Sequence, residues 1–284
     1  MPYDPSDCWP LSLTRAIEDF PIANLPLTKH QHRLAAESGV AWNPNAWLDP
    51  VEFASFIASG KMAFSDAANQ PLAWRGTAAD ATNVFVAKHS FVIRYPWDFI
   101  RANESYITAL DKNSIQGEVH PLAVIEGIVH IGPGTRILPG VFIEGNVVIG
   151  ANCKIGPNCY IRGNTSIGDN CHIGQSVEIK NCLILSHSNV GHLSYIGDSV
   201  LGEKVNLGAG TTTSNLRHDG KNHRSMAGGA LVDTGRRKFG SIIGDGVHTG
   251  INTSIYPGRK LWPHTTTRPG EIVQHDVQSQ ITNL

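Results

Sequence analysis

Ten isoleucines recur at an unbroken spacing of six: Ile125, Ile131, Ile137, Ile143, Ile149, Ile155, Ile161, Ile167, Ile173 and Ile179. An amphipathic helix repeats every ~3.6 residues and a half-buried strand every second residue, so neither produces this run. A period of six sustained this long marks a hexapeptide β-helix, a stack of short parallel strands meeting at sharp corners. Gly follows many of the isoleucines, as in Ile131-Gly132, Ile149-Gly150 and Ile155-Gly156, and four places on stand Thr135, Val141, Val147, Cys153, Cys159, Thr165, Cys171 and Val177. In such a coil Ile fills the interior, the smaller residue shares its layer, and Gly or Asn takes the positive φ of the corner.

The rhythm stops after Leu207 and resumes at Ile243, Thr249, Ile255, Leu261 and Thr267. A β-helix over 117–277 is expected, interrupted by an insertion at 215–238 rich in Arg, His, Lys and Gly. That stretch is too polar for a coil interior and is expected to protrude as a loop, either functional or simply solvated. Residues 1–94 lack the repeat and read as a small α/β or irregular accessory region. Within it the apolar spacing predicts helices over 30–37 and 50–59. Tyr95-Pro96-Trp97-Asp98-Phe99-Ile100 opens a linker helix in 95–116, with Pro96 in its first turn, expected to dock the front region against the bottom coil. Residues 278–284 form a tail. The fold class is therefore mainly β.

At 284 residues and a net charge of −1, with no long basic run, the chain is a poor fit to a nucleic-acid partner. No apolar stretch is long enough to cross a bilayer, and Met1-Pro2-Tyr3-Asp4 offers neither a basic cap nor an apolar leader core, so a cytoplasmic protein without membrane partners is expected. The chain has five cysteines and no CxxC pair. Cys153, Cys159 and Cys171 fall in the small inward slot and Cys182 in the same coils, which reads as reduced, structural thiols.

Arg162 and Lys180 each follow an inward isoleucine, so the pleat turns both outward. Lying 18 residues apart, one full coil, they would stack on strands ~4.8 Å apart. Two cations at that distance repel by about 0.8 kcal/mol even in water, and an anion such as phosphate between them would reverse the cost. The alternative is two long side chains splayed into solvent. Glu178 shares the outward side with Lys180, and His192 follows in Gly191-His192-Leu193-Ser194-Tyr195-Ile196-Gly197-Asp198. A carboxylate beside an imidazole fixes its tautomer and raises its basicity, the requirement for a general base near neutral pH.

The run Val177-Glu178-Ile179-Lys180, then GHLSYIGD from Gly191, then VNLGAGTTTSN from Val205, resembles the acetyltransferase domain of N-acetylglucosamine-1-phosphate uridyltransferase. DTGRRKFGSIIGDGVHTGINTSIYPG from Asp233 and YPWDFIRANE from Tyr95 are similar to archaeal bifunctional sugar-1-phosphate nucleotidylyltransferase/acetyltransferases, so the resemblance covers roughly 95–277. It implies a left-handed parallel β-helix whose triangular coil consumes three hexapeptides, and a homotrimer with its site between neighbouring β-helices. It further implies acetyl-CoA as co-substrate, no metal, and an amino-sugar phosphate (glucosamine-1-phosphate or galactosamine-1-phosphate) as acceptor. By the same resemblance Arg162, Lys180, Tyr195 and Asn206 bind the sugar phosphate, Lys238 closes over it, His192 is the base and Glu178 its acidic helper. Ala209 would meet the thioester through its backbone, with Ile251 and Pro269 at cofactor-contacting positions where the bacterial enzymes have Ser and Ala. The front region is too short for a uridyltransferase domain and has no Gly-rich G-x-G-T-R loop, so no pyrophosphorylase activity is expected. Two rivals remain: an inactive sugar-phosphate or nucleotide-sugar binding module, and a zinc carbonic anhydrase using His187, His192 and His172.

Overall fold

The computed structural model describes residues 4–76 and 83–278; Met1-Pro2-Tyr3 and residues 279–284 of the tail lie outside them. The six-residue rhythm folds as a mainly β, parallel β-helix. Its first face holds six strands from Glu118–Val119 to Asn206–Leu207, continued by bridges from Asn206 to His248 and from His248 to Thr266. Eight strands from Val124–Glu126 to Ile272–Val273 form the second, and eight from Ser114–Ile115 to Lys260–Leu261 the third. Below these are the histidine face, the cation face and the covered face. Ile125, Ile143, Ile161 and Ile179 stack in register on the cation face, as the spacing requires, and Ile196 continues the column after a coil one residue shorter.

The smaller slot has its own chemistry. Thr135 Oγ1 donates to the Gly150 carbonyl at 2.6 Å, Cys153 Sγ to Gly168 at 3.0 Å and Ser188 Oγ to Gly202 at 2.8 Å, so these side chains tie each coil to the next. All five cysteines are free and buried. Burial pushes the Cys159 and Cys182 thiols up to about 12, which makes them packing groups rather than nucleophiles. The corner between the histidine and cation faces takes its left-handed residues from Gly140, Asn158, Ser176, Leu193, Gly210, Asn252 and Gly270.

The front region is a small α/β unit. Helix α1 spans Leu27–Ala35 and begins three residues before the apolar pattern indicated, because Pro26 serves as its N-cap. Helix α2, Pro50–Ser59, matches its expected span, with Asp49 accepting from the Val51 and Glu52 amides at 3.1 and 3.0 Å and Gly60 closing it at φ 65°. Phe53 and Phe56 of α2 pack on Phe64 and Leu72 of a four-stranded sheet. Helix α3, Pro96–Thr108, is started by Asp98, whose carboxylate accepts the Arg94 and Tyr95 amides at 2.9 and 2.8 Å.

Helix α3 does not dock on the bottom coil. It crosses the middle of the covered face, over Thr165–Ile167, Leu183–Ile184 and Val200–Leu201. The outward column of that face shows why: it runs Ser114, His130, Val148, Ser166, Leu183, Val200, Ile242, Lys260. Its middle is apolar, and Trp97, Phe99 and Ile100 bury that stripe. Nor is the insertion a free loop. Arg224–Ala227 and Ala230–Asp233 form a hairpin whose Ser225 and Ala227 are buried, lying against the first turn, Pro5–Cys8. Small side chains alternating along one strand let a polar segment dock one face.

At the end of the outward column Lys260 is 1% exposed, its Nζ donating to the Trp9 carbonyl at 2.8 Å. Burial lowers its pKa to about 8. Because the charged form is disfavoured in the fold, the penalty is complete below pH 8 and is relieved as pH rises toward the unfolded value of 10.5. Stability should therefore gain on the order of 3 kcal/mol across that window. Lys260→Met should lose this rise when denaturant unfolding is compared with wild type from pH 7 to pH 10; parallel profiles for the two proteins would refute it.

Candidate active site

The pleat presents Tyr160, Glu178 and Tyr195 in one outward column of the cation face and Arg162, Lys180 and Gly197 in the next. Arg162 and Lys180 are register partners, as their spacing required. They are not a bare cation pair. Arg162 Nε and Nη2 both donate to Glu178 Oε1, at 2.9 and 2.7 Å, and Lys180 Nζ donates to Asp198 Oδ2 at 2.8 Å. Each cation thus carries its own carboxylate, and the charge of the quartet closes to zero. Donors remain nonetheless, because guanidinium has five N–H groups and ammonium three.

Asp198 is the buried node of this cluster. Its side chain is 3% exposed, and besides Lys180 it accepts from Asn215 Nδ2 at 2.6 Å and Asn181 Nδ2 at 3.0 Å. Asn215 also donates to the Tyr195 hydroxyl oxygen at 2.9 Å. Burial, and then Asp198, push the Tyr195 pKa above its ordinary value, so the hydroxyl keeps its proton. With its oxygen already accepting, that proton is oriented away to donate to a ligand.

Glu178 does not engage His192 within the chain. Glu178 sits on the cation face holding Arg162, whereas His192 ends the strand Asn189–His192 of the histidine face, exposed at the corner. The corner, however, assembles four of the expected residues. Gly210 N donates to the His192 carbonyl at 3.1 Å, Asn252 N to the Ala209 carbonyl at 2.7 Å and Gly270 N to the Ile251 carbonyl at 2.7 Å. His192, Ala209, Ile251 and Pro269 therefore succeed one another along this edge, one per coil, over about 14 Å at ~4.8 Å per coil. Among the described residues the Ala209 N–H has no acceptor, which leaves it free for a developing oxyanion. Leu193, beside His192, holds φ 50° and is 68% exposed.

Asn206 stands on the histidine face, exposed, in the strand next to that of His192, apart from Tyr195. Lys238 is exposed where the insertion rejoins the coil, its backbone bridged to Leu216, and makes no ion pair among the described residues. His187 occupies the far corner at φ 63°, His172 begins the strand His172–Gln175 of the histidine face, and no group of three metal-ligating side chains is found among the described residues. The sequence reading passed over Asp198, Asn181 and Asn215. Spacing alone does not point to Asp198, because the register partner of Lys180 is Gly197 and Asp198 is the corner residue that follows it.

A family described as the GMPPB C-terminal domain matches residues 143–269. A bifunctional sugar-1-phosphate nucleotidylyltransferase/acetyltransferase of Sulfurisphaera tokodaii is 40% identical over 208 residues, 70% of this chain and 52% of that protein. The bifunctional protein GlmU of Methanococcus aeolicus is 42% identical over 183 residues, 64% of this chain and 44% of its own length. The chain thus spans about half the length of the curated relatives it matches. Among solved structures, a UDP-N-acetylglucosamine acyltransferase overlaps at a TM-score of 0.27 and 15% identity, over 55% of this chain and 66% of that one. No helix among the described residues is long and apolar enough to cross a membrane. Residues 143–269 thus match the GMPPB C-terminal domain family, and the chain is similar over 208 residues to a bifunctional sugar-1-phosphate nucleotidylyltransferase/acetyltransferase.

Proposed function

We propose that the protein transfers the acetyl group of acetyl-CoA to the amine of an amino-sugar 1-phosphate. The observation that carries this reading is the corner edge on which His192, Ala209, Ile251 and Pro269 line up, beside the face that bears Arg162, Lys180 and Tyr195. An extended thioester along the edge would bring its carbonyl between the base and a free backbone N–H. The neutral amine attacks that carbonyl, His192 accepts the amine proton, the Ala209 N–H takes the oxyanion, and the thiol departs as the amide forms. The sugar phosphate draws on the unused donors of Arg162 and Lys180 and on the Tyr195 proton, with Asn206 and Lys238 closing from other elements. The names of the relatives, bifunctional nucleotidylyltransferase/acetyltransferases, support the same chemistry.

A homotrimer suits this arrangement. The covered face is occupied by the chain's own front region, so the cation and histidine faces are what remain for neighbouring copies. A crevice between copies would bring another subunit's histidine face toward the cluster, and light scattering would give the mass.

Purified protein mixed with acetyl-CoA and either glucosamine-1-phosphate or galactosamine-1-phosphate should release free thiol, at a rate that identifies the acceptor. Saturable binding of the sugar phosphate without thiol release would instead support the inactive binding module. That rival draws on one observation, the closed charge of the Arg162, Glu178, Lys180 and Asp198 quartet.

The Arg162–Glu178 pair yields a separate prediction. Both side chains are about one-third exposed, so the pair is worth no more than about 1 kcal/mol. Glu178→Gln should free the guanidinium and lower the KM for sugar phosphate about two- to fivefold. A collapse of kcat at unchanged KM would restore Glu178 to the side of His192.

A further inference from the structure

The insertion at 215–238 and Lys180 are both tied to an element outside the β-helix. Glu104, near the end of α3, reaches from the covered face to the corner beyond the cation face. Its Oε1 accepts from Asn181 Nδ2 at 2.7 Å and from Arg236 Nη2 at 2.5 Å, and its Oε2 accepts from Arg236 Nη1 at 3.0 Å. Asn181 follows Lys180 directly, and its amide also donates to Asp198, the carboxylate that holds Lys180. Asn215, where the insertion leaves the coil, bonds the other oxygen of Asp198. Arg236, two residues before Lys238, secures the return. Both ends of the insertion, Lys180 and Tyr195 are thus joined through Glu104, Asn181, Asp198 and Asn215.

We propose that Glu104 is a positioning residue for the acceptor site: its fork on Arg236 and its bond to Asn181 set the insertion and Lys180 in place together. This gives the front region a part in the chemistry, since α3 is seated by that region's core: Phe20 stacks on Phe99 at 3.9 Å, and Trp47 Nε1 donates to Ser105 Oγ at 3.2 Å. A bidentate guanidinium–carboxylate pair fixes direction as well as distance, which suits a residue that must hold a segment rather than merely attract it. The proposal rests on the sugar-phosphate reading above. It predicts effects on acceptor binding, because Glu104 touches neither His192 nor the edge that would carry the thioester.

Two variants separate its bonds. Glu104→Gln keeps an acceptor for Asn181 and loses the ionic fork, while Glu104→Ala loses both. In the acetyl-transfer assay the KM for amino-sugar phosphate should rise about threefold in the first and about tenfold in the second, with kcat within about twofold. Arg236→Met should add little in the Glu104→Ala background. Hydrogen exchange supplies a readout free of activity: Glu104→Ala should speed exchange across 215–238 and at 180–181 and leave the coils before residue 160 as they were. Unchanged exchange in the insertion, or a lowered thermal midpoint with wild-type KM, would overturn the proposal. A wild-type protein that transfers no acetyl group would remove the proposed function, and the exchange result would then decide by itself whether Glu104 sets the insertion.

Discussion

Replacing His192 by Ala should lower acetyl transfer about a hundred- to ten-thousand-fold while changing the affinity for amino-sugar 1-phosphate less than twofold. The fold makes this a clean test. His192 is exposed at a corner, its backbone carbonyl already accepts from Gly210, and no protein group among the described residues bonds its ring, so truncation leaves nothing buried unpaired. Arg162, Lys180 and Tyr195 lie on another face and keep their partners. Loss should therefore appear in kcat, since a general base acts on the proton released as the bond forms, not on the bound ground state. Equal loss of binding and transfer would mean that His192 is a contact residue and that the base lies elsewhere. Retention of transfer would remove it from the chemistry altogether.

The β-helix was legible because its geometry is local. Each coil repeats the same inward isoleucine and the same corner, so periodicity alone sets the ladder of Ile143, Ile161 and Ile179 and the pairing of Arg162 with Lys180. The helix over 50–59 was legible for the same reason, its cap and stop both lying in the chain at Asp49 and Gly60. What escaped depends on contacts between segments distant in sequence. Where α3 lies was decided by Leu183, Val200 and Ile242, outward residues read only as strand positions until the column they form is assembled. The hairpin inside 215–238 owes its docking to the first turn, more than two hundred residues away. Glu178 as the helper of His192 comes from its outward place in the pleat and from the resemblance, neither of which fixes which face of one chain each residue occupies. In the coil, fourteen residues fall short of a full turn, and they set the two on different faces.

Asp198→Ala should destabilise the fold by about 3 to 5 kcal/mol, because it strands the Lys180 ammonium in a nearly closed site and leaves the Asn181 and Asn215 amides each short of an acceptor. The corner adds to the cost: position 198 holds φ 49°, a conformation that Asp or Asn tolerates better than Ala. Asp198→Asn keeps the shape, the backbone conformation and one acceptor, and should fall between the wild type and Asp198→Ala. The decisive comparison adds Lys180→Met to Asp198→Ala. If the penalty arises from an unpaired buried cation, the double variant will be more stable than Asp198→Ala alone, although it carries one more substitution. Denaturant midpoints at a fixed protein concentration measure all four proteins. Additive losses would place Asp198 among ordinary corner residues, and the network joining Lys180, Tyr195 and the insertion would lose its centre. Recovery in the double variant would show that Asp198 is retained to hold Lys180, a cation whose absence from that recovered fold should still weaken acceptor binding.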